Sequence, residues 1–275
     1  MNKKFETWLI FIFLSLFTLA TLYPVLNIIS ISLRTDNAFE TQSLSLFTSD
    51  SSFGSYKMLF TETSFLKWAW NSFIVTFIVT LTGVILASTS GYALSRFKFK
   101  GRQFGMLSLL TTQMFPATML LLPFFILLSK IGLINSYIGL IIIYSSTALP
   151  FCIWQMKGYY DTIPVSLEES ARLDGCSRFQ TFYKIILPLS KPALVITALF
   201  SFMSSWSEYV VAAIILQDPE LYTLPLGLKS FQASLATQWG LYAAGAVVVS
   251  IPVTILLLAK LSCRLFHADC FTAFS

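Results

Sequence analysis

Apolar and polar positions fall along this chain in long blocks, not at the spacing of a half-buried helix or strand. Apolar runs extend over about residues 8–31, 68–95, 104–128, 137–156, 193–216 and 239–261. Each is long enough, at about 1.5 Å rise per residue, to cross a hydrocarbon core about 30 Å thick. The pattern predicts an all-α polytopic membrane protein with six transmembrane helices in a single transmembrane domain, residues 1–275. The first run follows Lys3 and Lys4 and is too long for a cleaved leader, so it is expected to remain as a helix. Residues 32–67, 130–136 and 217–238 are expected as loops on one side. The longest polar stretch, residues 157–192, belongs to the other.

Composition agrees with the blocks. Of 275 residues, 56% are hydrophobic and 11% charged, against about 25% charged in a soluble domain. Net charge is +5, but in a membrane protein the distribution of cations carries more information than their sum. Two Lys precede the first run, four Lys and Arg lie from Arg96 to Arg102, five from Lys157 to Lys191, and Lys260 and Arg264 stand at the end of the sixth run, making 13 on one side. The other side has Arg34, Lys57, Lys67, Lys130 and Lys229, the remaining 5 of 18. That bias predicts both termini in the cytoplasm. The basic turn Arg96–Arg102 is expected as a topological anchor, with no role for nucleic acid. Cys152, Cys176, Cys263 and Cys270 fall on or near the cytoplasmic side, where disulfides are not expected. Cys263, His267 and Cys270 fit no standard zinc spacing and lack a fourth ligand, so no metal site is expected.

Three features inside the runs have chemical content. Gln113, Pro116 and Pro123 fall in the third run, where prolines free carbonyls that neighbouring helices or a water-lined cavity must satisfy. Pro252 is expected to break the sixth. Glu208, in Trp206-Ser207-Glu208-Tyr209, is the only acid within any run and must face protein or water. Gln113, Ser207 and Glu208 are the candidate residues of a substrate path, with a polar helix–helix contact as the competing role for Glu208.

The cytoplasmic stretch reads as a helix, a corner and a helix. Pro164 suits a first turn and Gly175 an αL terminus, which predicts a helix over about 163–174. Ser177 and Gln180 make a capping box for a second helix, which Pro188 and Pro192 are expected to stop.

Glu169-Ser170-Ala171, then Gly175, Ile185 and Leu187-Pro188, resembles the EAA loop of bacterial ABC importer permeases, with Ser170 where the family's first alanine usually sits. Ile163-Pro164, Leu167-Glu168-Glu169 and Leu173-Asp174-Gly175 resemble the carbohydrate branch, in particular the smaller permease subunit of maltose-type importers. Thr223-Leu-Pro225-Leu-Gly227-Leu228 resembles a segment of sugar permeases. Two departures stand out: Ser207 replaces the usual Asn after Trp206, and the tail 262–275 lacks the usual Gly- and Lys-containing end.

The resemblance implies a type I ABC importer permease, a binding-protein-dependent transport component of the bacterial cytoplasmic (inner) membrane. It implies that Glu169, Ser170, Ala171, Asp174 and Gly175 form the coupling helix that docks on an ATPase. Glu169 would supply charge, Ser170 and Ala171 close approach, and Gly175 the corner. The implied partners are a second permease, two ATPase subunits, an extracytoplasmic sugar-binding protein and membrane lipid. The sequence has no G-x-x-x-x-G-K-[ST] loop, so the chain is expected not to be an enzyme and to hold no cofactor. ATP and Mg would be bound by the partner ATPases. The alternatives are a permease for another solute and an ion-driven carrier, for which Glu208 alone would make a poor relay.

Overall fold

The computed structural model describes residues 3–34, 51–232 and 237–271, without the side chains of Lys3, Phe5, Ala117 and 259–271. Among these residues every regular element is helical. They fall into two compact units, Met1–Lys67 with Gly227–Ser275, and Trp68–Leu226.

In the first unit, α1 (Lys3–Ser32) and α13 (Trp239–Phe271) run together, with α2 (Gly54–Thr61) packed on α13. The Ser32 and Tyr56 hydroxyls, 2.8 Å apart, tie the end of α1 to α2. Side chains from Trp8 to Leu22 on α1 are exposed and apolar on every face, as expected of a helix that meets lipid or another subunit. Pro252 does not break α13, which continues unbroken to Phe271. One proline removes a single ladder bond, and within a span that loss is tolerated where surrounding groups take up the freed carbonyl.

The second unit contains α3 (Phe65–Arg96), α4 (Arg102–Met114), α5 (Leu121–Lys130), α6 (Tyr137–Thr162), α7 (Ser166–Leu173), α8 (Arg178–Thr181), α9 (Leu187–Leu189), α10 (Lys191–Trp206) and α11 (Val210–Ile215). Two cores hold it. In one, Val75, Val79, Leu128, Leu140, Ile143 and Ile215 pack together. In the other, beside the 157–192 stretch, Ala87, Tyr92, Cys152, Met156, Tyr160 and Ile186 do so. Gly91 sets the second contact: a Cβ there would lie 2.9 Å from Met156 Cβ and 3.0 Å from Lys157 N. Only a residue without a side chain lets α3 approach α6 so closely.

Among the described residues four helices, α1, α3, α6 and part of α13, are long and apolar enough to span alone, and counting each of two bent pairs as one crossing, residues 102–130 and 178–206, brings the number to six. The structure bends the third run at its first proline and interrupts the fifth, expected as one helix. The third is α4 and α5 joined by Phe115, Pro116 and a 3₁₀ turn, Ala117–Leu120, with a 96° bend. Pro116 has no N–H to offer, and Phe115 before it is extended (φ −80°, ψ 125°), as a residue preceding proline prefers. The fifth run ends its first helix at Trp206, unwinds over Ser207–Tyr209 and resumes as α11.

Pro188 does not stop the second helix of the 157–192 stretch either. A π turn, Phe182–Ile186, widens the ladder just before it, and the chain turns by 76° at Ser190 instead. Near the start of α3, Asn71 Nδ2 donates to the carbonyls of Glu220 and Tyr222 (3.0 Å each), and Leu224 N donates to Ser72 Oγ. These bonds fix the loop in which Leu224–Lys229 forms α12.

Candidate functional site

The helix pair of the polar stretch 157–192 is built from local rules. α7 is shorter than expected, because Pro164 lies two residues before it and not in its first turn. Gly175 adopts φ +85°. Gly175 N donates to Arg172 O and Cys176 N to Ala171 O, both at 3.0 Å, which together form a Schellman terminus. The capping box closes as expected: Ser177 N donates to Gln180 Oε1 (2.8 Å) and Gln180 N to Ser177 Oγ (3.3 Å).

What holds α7 to the spans is a buried charge. Glu168 is 1% exposed. Its Oε2 accepts from the Tyr92 hydroxyl at 2.8 Å and its Oε1 from Arg96 Nε at 2.5 Å, while Arg96 Nη2 donates to Ile163 O at 2.8 Å. One carboxylate thus joins the C-terminal end of α3 to α7. Phe182, with its ring 4.7 Å from that of Tyr92, closes the space beneath. Sequence reasoning placed Arg96 among surface anchors and missed both Tyr92 and Glu168. The available signal was Glu168 and Ala171 three residues apart, on one helix face.

The expected docking residues divide accordingly. Glu169, Ser170, Asp174 and Gly175 are exposed, whereas Ala171 is buried at 3% and faces the permease itself. Beside them stand Leu173, 89% exposed, and the parallel rings of Phe179 and Tyr183. An exposed apolar patch of this kind, rimmed by charge, marks a protein contact.

The three candidate path residues are not brought together. Glu208 sits where the fifth crossing unwinds. Its Oε2 accepts from the Tyr144 hydroxyl (2.8 Å), and Val211 N (3.1 Å to Oε1) and Ala212 N (3.4 Å to Oε2) donate to the same carboxylate. The acid therefore supplies partners to amides that the break exposes. Ser207 is exposed and donates to Met203 O of its own helix. Gln113 lies at the other break, its Nε2 donating to Thr147 O at 3.1 Å. We expect Glu208→Gln to keep assembly but alter solute-dependent transport, and to cost about 1–3 kcal/mol because a charge-assisted bond is lost. Tyr144→Phe should couple to it non-additively. Thermal melting of the purified single and double variants checks this; additive losses would separate the two residues.

Long apolar helices, one run bent and another interrupted, and a helix pair fastened to α3 by a buried carboxylate are the architecture of a membrane permease. A family model, "Binding-protein-dependent transport system inner membrane component", matches residues 80–262. The chain belongs to that family. It is 34% identical over 249 residues to the maltodextrin transport system permease protein MdxG of Bacillus subtilis (90% of this chain, 88% of the relative). It is also 34% identical over 276 residues to the maltose/maltodextrin permease MalG of Vibrio vulnificus (94% and 92%). Among solved structures, a bacterial ABC transporter importing the acidic polysaccharide alginate superposes with a TM-score of 0.83 at 26% identity, over 95% of this chain and 97% of that one.

Proposed function

We propose that this chain is the transmembrane permease subunit of an ATP-driven sugar importer. With a second permease it forms the path for a sugar or oligosaccharide delivered by an extracytoplasmic binding protein, and two separate ATPase subunits supply the energy. The observation that carries this reading is α7, which offers Glu169, Ser170 and Asp174 outward while Glu168 fastens it to α3. Relatives named for maltodextrin and maltose support the sugar class. ATP-driven closure of the ATPases would move α7, and with it α3, so that access to the path alternates.

The test is reconstitution with the partner subunits and binding protein, measuring ATP hydrolysis and uptake over a panel of oligosaccharides. Sugar-dependent hydrolysis with uptake is expected. Uptake driven by an ion gradient without the ATPases would favour a secondary carrier.

Both termini are proposed to be cytoplasmic. A single cysteine at Ser52 should react with an impermeant thiol reagent in intact cells, and one at Gln180 should not. Labelling at Gln180 from outside would invert the topology. Ser234, a third position expected on the outside, lies beyond the described residues.

A further inference from the structure

The break in the third crossing opens a cleft of about 300 Å³ between α4, α5 and α6. Thr112, Gln113 and Phe115 line one side, Ser146 and Thr147 face them, and Phe124 closes it. Gln113 lies eleven residues beyond Arg102 and Thr147 ten before Lys157, so at 1.5 Å per residue each stands about 15–17 Å along its helix from a basic end, a length equal to half of a ~30 Å core.

Gln113, Ser146 and Thr147 are exposed in this chain. An amide and irregular backbone at mid-depth are stable only against protein or in a water-lined cavity.

The chemistry of the lining is specific. Thr112, Ser146 and Thr147 each donate their hydroxyl proton to a carbonyl of their own helix, Leu109, Ile143 and Tyr144 respectively. Each therefore presents acceptor lone pairs to the cleft. Gln113 spends one N–H on Thr147 O and retains a second N–H and its amide oxygen. Phe115, 56% exposed, and Phe124 supply ring faces. No charged side chain lines the cleft, so a carboxylate or sulfonate entering it would shed water without compensation. The volume equals about ten waters, room for one pyranose unit with its hydroxyls.

We propose that this cleft is the point at which this subunit contacts the passing solute, and that it accepts a neutral sugar unit and rejects an acidic one. Acceptors on three hydroxyls and an amide meet the ligand's O–H donors, and the phenyl rings meet its C–H faces. The inference rests on the proposed importer function and goes beyond it by naming the residues and the charge class.

The test uses the complete complex with its binding protein in proteoliposomes, in a background without native cysteines. Thr147→Cys is probed with a small methanethiosulfonate reagent, and Thr112→Cys repeats the measurement from the opposite wall. We expect labelling, and protection of at least tenfold by whichever of maltotriose, galactobiose or diacetylchitobiose the wild-type complex takes up. Trigalacturonate should give no protection. Gln113→Leu should lower uptake at subsaturating sugar about fivefold, the value of one hydrogen bond. Failure of both cysteines to label in a transporting complex would mean that lipid or the second permease fills the cleft. Labelling without protection would mean water but no sugar contact. Protection by trigalacturonate would overturn the charge class. If the wild-type complex takes up none of the neutral sugars, the importer reading fails first, and this inference falls with it.

Discussion

Glu168→Ala is expected to abolish sugar uptake while leaving the spans inserted. Without the carboxylate, the Arg96 guanidinium stays beside Tyr92 with its side chain only 10% exposed and its ion pair gone. Breaking a buried pair from one side costs about 3–5 kcal/mol. That is large for α7, which has eight residues and buries only Glu168 and Ala171. The helix should therefore detach from α3, whose insertion depends on apolar length and not on this contact. The expected phenotype is normal membrane levels, a proteolytically sensitive loop, weak ATPase co-purification and uptake near background. Arg96→Met combined with Glu168→Leu should recover part of the uptake, since two packed apolar side chains can replace a buried ion pair without an orphaned charge. Wild-type uptake by Glu168→Ala would remove the carboxylate from any part in coupling.

Gly175→Val should be nearly as severe, through the backbone alone. A Cβ at Gly175 would meet nothing within 4 Å, so space is not the constraint. The constraint is φ +85°, where alanine already costs about 1 kcal/mol and a β-branched residue more. The Schellman bonds that end α7 would open and the angle between α7 and α8 would change. Gly175→Asn, which tolerates αL, should retain most uptake, and this contrast separates backbone strain from bulk. Glu169→Lys should fail similarly, by reversing charge at the docking face. Gln180→Ala, losing half a capping box worth about 1 kcal/mol, should be mild. The measurements are uptake and ATPase co-purification. Normal uptake in both Gly175→Val and Glu169→Lys would mean that α7 is not the coupling element.

The contrast between Pro116 and Pro252 shows how far the sequence alone reaches. Both prolines lie in apolar runs; one is at a 96° bend and the other inside an unbroken helix. Apolar length determines where a crossing falls, but the fate of one lost ladder bond depends on which neighbours can replace it. The same holds at Glu208, whose polarity was visible in the sequence although its partner Tyr144, 64 residues away, was not. Gly175 and the Ser177–Gln180 box were legible because their bonds reach only a few residues. Glu168 was hidden by an inverted pattern: it is buried next to exposed Glu169, while Leu173 on the same short helix is 89% exposed.

That exposed leucine has a consequence for how the cell must handle this subunit. Leu173, Phe179 and Tyr183 leave their apolar surface exposed on the helix pair until something covers it. A copy synthesised in excess of its partners would insert in the membrane normally and still carry an adhesive patch. Synthesis in matched numbers with the partner chains, or removal of the surplus by membrane proteases, is what such a surface requires.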